Sequence, residues 1–202
     1  MIPKGIYGIT TSEYGFNHIE SAKILLDAGI RIIQYREKNG SGRKMYDCSL
    51  EIKKICEDYG ALLIINDRVD IALAVDADGV HVGQKDLPAD ITRKIIGKKI
   101  MGVSVSSVDQ ASKAVKDGAD YLGAGAIFST NTKNDSEFLG IENLKKIIRM
   151  FNTPIVAIGG IKLEDVKILK EAGVHGIAVI SAIFASGNPV AEAKKFVEEW
   201  ES

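Results

Sequence analysis

Residues 155–179, IVAIGGIKLEDVKILKEAGVHGIAV, contain one complete strand–helix–strand unit. The β-branched apolar run Ile155–Ile158 predicts a buried strand, and the amphipathic spacing over 164–171 predicts a helix. Glu171-Ala172-Gly173 ends that helix with a glycine, and a second apolar run follows at Gly176–Val179. Such a unit is typical of a parallel sheet with helices packed against it.

The same unit recurs along the chain. Short apolar runs alternate with longer amphipathic stretches, and we count eight such pairs in 202 residues. That number exceeds what the common open sheets use, so we expect one α/β domain over residues 1–202, a (β/α)₈ TIM barrel, with an open doubly wound sheet as the alternative. The expected strands are Ile6–Ile9, Ile30–Tyr35, Leu62–Ile65, Gly79–Val82, Ile100–Val103, Tyr121–Gly123, Ile155–Ile158 and Gly176–Val179. The expected helices lie at about 17–28, 43–58, 69–75, 89–96, 107–117, 141–150, 164–171 and 190–200.

Charge and composition limit the function classes. With 26 basic and 27 acidic residues, the chain has no electrostatic footprint for nucleic acid or an anionic membrane. No apolar stretch reaches the roughly 20 residues of a membrane span, and the first residues lack the apolar run of a signal peptide. We therefore expect a cytoplasmic enzyme that acts on small molecules, with homo-oligomerisation left open. Cys48 and Cys56 fall about 12 Å apart in one predicted helix, so both are expected to be reduced.

The exit of the second strand carries two cations. Barrel enzymes build their active site at the carboxyl ends of the strands, so residues just after each strand are the candidates. In Gln34-Tyr35-Arg36-Glu37-Lys38, strand alternation puts Gln34, Arg36 and Lys38 on one face. An arginine and a lysine facing the barrel mouth suit a diphosphate. The alternative is a solvated strand exit in which Arg36 or Lys38 pairs with Glu37.

Two acids follow the third and fourth strands. Asp67 stands in Asn66-Asp67-Arg68 and Asp86 ends Gly83-Gln84-Lys85-Asp86, so they fall on neighbouring loops at one end of the barrel. Mg²⁺ is usually held by one or two carboxylates together with waters and substrate phosphates, which this pair supplies. The alternatives are a helix N-cap or first-turn acid for Asp67 and a cap before Pro88 for Asp86.

A phosphate cradle is predicted after the last two strands. Strand seven ends in Gly159-Gly160-Ile161, and strand eight ends in Ile180-Ser181-Ala182 at the start of a short helix. Glycine amides and a helix N-terminus at this place bind a phosphate in many barrels. The pattern indicates a phosphate without saying which phosphate ester.

The loop after strand six is long and rich in hydroxyl groups. It covers residues 125–135, and long loops in compact domains tend to be functional. Thr130, Thr132 and Lys133 are expected to close over a phosphorylated substrate, as lids do, while a plain surface loop is the alternative.

Ser104 and the three histidines give weaker signals. Ser104 follows strand five, where its hydroxyl can reach a ligand or simply form a turn. His81 lies within strand four and is expected to be a neutral histidine that fills a layer of the barrel. His18 and His175 have no partner in the sequence, so none of the three is given a role.

From the first strand to the last helix, the chain resembles the thiamine phosphate synthase family. The segments that carry the resemblance stand in order at the strand exits or just before them. They are Gln34-Tyr35-Arg36-Glu37-Lys38, Asn66-Asp67-Arg68, Asp78-Gly79-Val80-His81-Val82-Gly83-Gln84-Lys85-Asp86, Gly102-Val103-Ser104, Thr130-Asn131-Thr132-Lys133, Val156-Ala157-Ile158-Gly159-Gly160-Ile161 and Ala178-Val179-Ile180-Ser181.

The resemblance implies a Mg²⁺-dependent transferase. Such an enzyme couples 4-amino-2-methyl-5-hydroxymethylpyrimidine diphosphate to a thiazole phosphate, by a dissociative course, and releases diphosphate. By resemblance, Asp67 and Asp86 hold the metal, and the catalytic residues that neutralise the leaving group are Arg36, Lys38 and Lys133, with Ser104 also in contact with the diphosphate. The pyrimidine diphosphate ligands are Gln34, Arg36, Lys38, Asn66, Ser104 and Lys133. The thiazole phosphate ligands are Thr130, Thr132, Gly160, Ile180 and Ser181.

Two departures and two rivals accompany this resemblance. Ala126 and Ser129 stand where the family often has proline, which is expected to affect loop stiffness rather than the reaction type. A thiazole tautomerase of the same fold usually carries a histidine after strand five, where this chain has Ser104-Val105-Ser106. A non-catalytic phosphate sensor is expected to have lost the acidic pair that this chain keeps.

Overall fold

The computed structural model describes residues 2–129 and 138–202. Within them, eight parallel strands pair in sequence order, and the eighth pairs with the first to close a barrel. The predicted (β/α)₈ barrel is confirmed, and the open sheet is wrong. The strands are β1 (Gly5–Ile9), β2 (Ile32–Tyr35), β3 (Leu62–Asn66), β4 (Gly79–Val82), β5 (Ile100–Val105), β6 (Tyr121–Ala124), β7 (Ile155–Ile158) and β8 (Gly176–Val179).

Helices connect the strands and form the outer layer. The seventh connection begins with a 3₁₀ turn, Leu163–Asp165, before its helix. No helix within the described ranges is both long and apolar enough to cross a membrane. The helices are α1 (His18–Asp27), α2 (Gly42–Asp58), α3 (Val69–Ala74), α4 (Ala89–Ile96), α5 (Val108–Lys116), α6 (Gly140–Met150), α7 (Val166–Ala172), α8 (Ser181–Phe184) and α9 (Pro189–Glu201).

Two element boundaries differ usefully from the sequence prediction. β2 begins at Ile32 rather than Ile30, because the chain still closes α1 there: the amide of Ile30 donates to the carbonyl of Leu25 at 3.1 Å across a left-handed Gly29 with φ 97°. β5 continues through Ser104 to Val105. Ser104 is therefore a strand residue and not a turn residue.

The core has two parts because side chains alternate along each strand. Outward-facing residues such as Ile33 and Leu63 pack against the helices, whereas Tyr7, Ile9 and Tyr121 belong to a smaller cluster inside the barrel. That inner cluster is the floor on which the candidate site rests.

Candidate active site at the carboxyl end of the barrel

A cavity of about 610 Å³ opens at the carboxyl ends of the strands. Its size is typical of pockets for small molecules. Thr130, Thr132 and Lys133 lie outside the described residues. The other predicted ligands all line the cavity: Gln34, Arg36, Lys38, Asn66, Asp67, Asp86, Ser104, Gly160, Ile180 and Ser181.

The exit of β2 presents its cations to the cavity. Arg36 and Lys38 line it, as strand alternation predicted, while Tyr35 packs in the outer core. Glu37 does not pair with either cation of its own segment. Its Oε2 lies 3.3 Å from His18 Nε2, so the alternative pairing is wrong.

Behind this loop, His18 connects α1 to the exit of β2. His18 Nδ1 lies 2.8 Å from Thr10 Oγ1, and Glu37 also accepts from the amide of Asn39 at 2.7 Å. The Asn39 amide and then His18 hold the pKa of Glu37 below its usual value. Burial lowers the pKa of His18, and Glu37 only partly offsets that. Sequence reasoning missed this contact because its partners are 19 residues apart.

The two predicted acids converge. Burial is the main cause that raises the pKa of Asp67, and a hydrogen-bonding contact with the Asp86 carboxyl adds to it. Lys38 Nζ lies 2.5 Å from Asp67 Oδ2 and opposes the shift. Neither acid stands at an N-cap position, since Arg68 occupies that position in α3 and Pro88 in α4.

The backbone turns sharply at Asp67. Its φ of 61° is left-handed, a conformation that non-glycine residues rarely adopt and that costs about 1–3 kcal/mol. Its amide donates to the carbonyl of His81 at 2.8 Å, which fixes the turn against β4. Strain of this kind is typical of functional sites and aims the Asp67 carboxyl at the loop that carries Asp86.

This wall of the cavity fits a divalent cation and an anion. Two partly buried, converging carboxylates offer the oxygen ligands that Mg²⁺ prefers. In the described ranges no group of three His, Cys, Asp or Glu residues could hold a metal ion. A Mg²⁺ ion that also binds substrate oxygens does not need a third protein ligand. Asn66 Nδ2 is buried there with no hydrogen-bond partner among the described residues, and such a buried donor calls for an acceptor on a ligand.

A chain of polar side chains crosses the floor of the cavity. Gln34 Nε2 donates to the Tyr7 hydroxyl at 3.1 Å, and the hydroxyls of Tyr7 and Tyr121 are 2.6 Å apart. His81 Nδ1 lies 2.9 Å from the Tyr121 hydroxyl, and His81 Nε2 lies 2.8 Å from Ser104 Oγ. His81 does fill a barrel layer, but it also connects that layer to a predicted ligand.

The opposite wall is built from backbone. Gly159 and Gly160, after β7, have left-handed φ values of 101° and 67°. A Cβ at Gly160 would lie 2.5 Å from the carbonyl oxygen of Ser129, so only glycine fits there. Ile180 and Ser181, where α8 begins, face the same space. The predicted phosphate residues that the structure describes are thus brought together.

Comparisons with known proteins point to one family. The sequence profile of the family described as thiamine monophosphate synthase matches residues 6–183. The thiamine-phosphate synthase of Caldivirga maquilingensis is 49% identical over 201 residues, which are 99% of this chain and 98% of that protein. The thiamine-phosphate synthase of Clostridium tetani is 54% identical over 181 residues, 88% of this chain and 85% of that protein. The solved structure of thiamine phosphate pyrophosphorylase from Pyrococcus furiosus superposes with a TM-score of 0.92 at 38% identity, covering 98% of this chain and 95% of that one.

Proposed function

The chain belongs to the thiamine monophosphate synthase family, and we propose that it works as a thiamine-phosphate synthase. In this reaction 4-amino-2-methyl-5-hydroxymethylpyrimidine diphosphate is joined to thiazole phosphate, and diphosphate leaves. One observation carries the proposal: a single cavity has a wall of charged side chains after β2–β4 and a facing wall formed by glycine backbone after β7 and the first turn of α8 after β8. Two different anion sites in one cavity suit two phosphorylated substrates.

The wall on β2–β4 would bind the pyrimidine diphosphate. Arg36, Lys38 and Lys133 carry charge that complements the diphosphate, and Arg36 offers two parallel donors. The orphaned amide of Asn66 supports the same assignment, because a phosphate oxygen would satisfy it. Gln34 and Ser104 complete this set from the floor of the cavity.

Asp67 and Asp86 would hold Mg²⁺. Their convergence and the raised pKa of Asp67 support this, since a cation relieves the repulsion between two partly buried carboxylates. When bound, Mg²⁺ supplies positive charge that stabilises the departing diphosphate. Lys38, which contacts Asp67 and lines the cavity, would bind the same anion.

The facing wall would bind thiazole phosphate. Gly160, Ile180 and Ser181 line the cavity together, and Thr130 and Thr132 follow β6 in the sequence. Backbone N–H groups at glycine turns and in the first turn of a helix have no partner within their own element, so they can bind phosphate oxygens.

The chemistry requires positioning more than a protein nucleophile. The bond between the methylene carbon and the diphosphate oxygen breaks, and the thiazole nitrogen forms the new bond to that carbon. The electron-rich aminopyrimidine stabilises the positive methylene group, so Arg36, Lys38 and Lys133 mainly take up charge on the leaving group. The two walls hold the reacting atoms in line, which removes the entropy cost of their meeting.

The direct test mixes the purified protein with both substrates and Mg²⁺ and measures thiamine phosphate and diphosphate together. We expect equal amounts of the two products, and neither when the thiazole phosphate is left out. Absence of diphosphate release under every tested condition would count against the proposal. Isomerisation of the thiazole phosphate alone would instead identify a tautomerase.

A further inference from the structure

The polar chain on the cavity floor runs in one direction. Gln34 donates to Tyr7, and a chain of donors that starts there has the single hydroxyl hydrogen of Tyr7 pointing to Tyr121, 2.6 Å away. Burial raises the pKa of both Tyr7 and Tyr121, so each keeps its one hydrogen. In the same direction Tyr121 donates to His81 Nδ1, and a neutral ring that accepts there carries its hydrogen on Nε2.

The end of this chain is Ser104. With that tautomer, His81 Nε2–H donates to Ser104 Oγ, 2.8 Å away, and the Ser104 hydroxyl hydrogen then does not point back to His81. Ser104 is half-buried and lines the cavity, so that hydrogen is directed at the cavity. The backbone carbonyl of Ser104 is held separately by Gln84 Nε2 at 2.7 Å.

The strands make room for this arrangement with two glycines. Gly102, on β5, is paired in register with both His81 and Tyr121. A Cβ at Gly102 would lie 2.1 Å from Tyr121 Cζ and 2.4 Å from His81 Nδ1, and a Cβ at Gly123 would lie 2.9 Å from His81 Cε1. Either methyl group would displace the rings, so the contact between them depends on both positions being glycine.

We propose that Tyr7, Tyr121 and His81 are positioning residues that hold the Ser104 hydroxyl as a hydrogen-bond donor toward the anion in the cavity. Gln34 at the other end of the chain sets its direction. The inference rests on the proposed function only for the identity of that anion, the diphosphate. An aligned donor that is already in place when charge develops loses no free energy to reorientation, which is the advantage of such a chain.

The first test reads the tautomer of His81 in the ligand-free protein, so it is independent of the proposed function. The chain has three histidines, and long-range ¹H–¹⁵N spectra of histidine-labelled protein distinguish protonated from unprotonated ring nitrogens. The His81→Gln variant identifies the His81 signals. We expect hydrogen on Nε2 alone in the wild type, and a mixture of tautomers in Gln34→Met. Hydrogen on Nδ1 in the wild type, or an unchanged tautomer in Gln34→Met, would overturn the proposal.

The second test asks whether Tyr121 and Ser104 act as one unit. Ser104→Ala and Tyr121→Phe are each expected to lower kcat about 10- to 100-fold, the effect of one hydrogen bond to a charged group, with smaller changes in KM. The double variant should be no slower than Ser104→Ala alone. Multiplying losses would contradict the proposal, because a merely structural tyrosine has no reason to depend on Ser104.

A matched control uses a buried tyrosine that is not part of the hydrogen-bonded chain on the cavity floor. Tyr35 is 2% exposed, packs in the outer core and hydrogen-bonds with Cys48, so Tyr35→Phe should leave kcat within about twofold. If Tyr121→Phe does not fold, Tyr7→Phe interrupts the same chain one step earlier and carries the same expectation. The proposal would be contradicted if Tyr7→Phe kept the wild-type kcat and His81 still carried hydrogen on Nε2 alone.

Discussion

The two walls of the cavity, which we propose bind different anions, are built from different parts of the chain. On β2–β4 the groups are side chains, with Arg36 and Lys38 beside the acidic pair. On β7 and β8 they are backbone, with Gly160 held in a left-handed conformation beside the first turn of α8. A side-chain wall can therefore be disabled by changing one functional group without altering the fold. A backbone wall changes only when its conformation changes, so its function and its stability are linked.

The largest effect should follow from removing one charge on the side-chain wall. Asp67→Asn keeps the shape of the side chain but removes a carboxylate that we propose binds Mg²⁺, and we expect kcat to fall about 1000-fold. Binding of thiazole phosphate, measured by calorimetry, should be unchanged because its proposed site lies on the other wall. Asp70→Asn is the matched control, since Asp70 is an exposed acid on α3 paired with Arg68. Undiminished turnover in Asp67→Asn would exclude the proposed metal role.

A methyl group at Gly160 should give the next largest effect. Here binding of thiazole phosphate should weaken and binding of diphosphate should persist. Gly160→Ala introduces a Cβ 2.5 Å from the Ser129 carbonyl at a φ of 67°. We expect about 1–3 kcal/mol lower free energy of unfolding and at least about tenfold weaker thiazole phosphate binding. Binding of inorganic diphosphate with Mg²⁺ should persist. Gly187→Ala, where a Cβ meets nothing within 4 Å, is the control.

If Gly160→Ala weakened both anions equally, the two walls would not be separate sites. Thermal unfolding of both glycine variants, compared with calorimetry on each anion, distinguishes a general loss of structure from a local change. A general loss of structure would mean that Gly160 supports the whole cavity and not one anion site.

The two walls also differ in how much of each could be predicted from the sequence. The strands, the cations of β2 and the acidic pair could be predicted because each signal is local: period-2 alternation and position just after a strand. Gly160 could be predicted for the same reason. The left-handed turn at Asp67 could not, because it depends on a hydrogen bond to His81 on the neighbouring strand.

The floor of the cavity was out of reach of local reasoning. Tyr7 and Tyr121 lie 114 residues apart and meet only because the barrel closes. From the sequence, His81 is only an inward-facing histidine in a strand. Its place in the hydrogen-bonded chain depends on Ser104 on β5 and Tyr121 on β6. A signal was present in Gly102 and Gly123, whose missing side chains leave space for large rings, but only the strand register shows which rings fill it.

Lowering the pH should destabilise the structure around His18 and Glu37 behind the side-chain wall and leave the backbone wall unchanged. We expect this effect to be smaller than the two above. Because burial lowers the pKa of His18, the unfolded chain takes up a proton first as pH falls below about 6.5, so folding loses stability there. The free energy of unfolding should fall less between about pH 7.5 and 5.5 in His18→Gln than in the wild type. His175→Gln, a histidine bonded to the carbonyl of Ile2, is the control. Equal slopes for wild type and His18→Gln would show that His18 is not the sensitive group.

The smallest effect should come from trimming a side chain on the backbone wall. If Ser181 binds phosphate through its amide, Ser181→Ala removes only a neutral hydroxyl, and thiazole phosphate binding should weaken by about fivefold or less. Lys38→Met on the other wall removes a charge that touches Asp67 and should weaken diphosphate binding more, by about tenfold or greater. Calorimetry of each variant with its own anion makes the comparison directly. A larger loss in Ser181→Ala than in Lys38→Met would mean that the phosphate is held by side chains after all, because a wall built from amides has little to lose when a hydroxyl is removed.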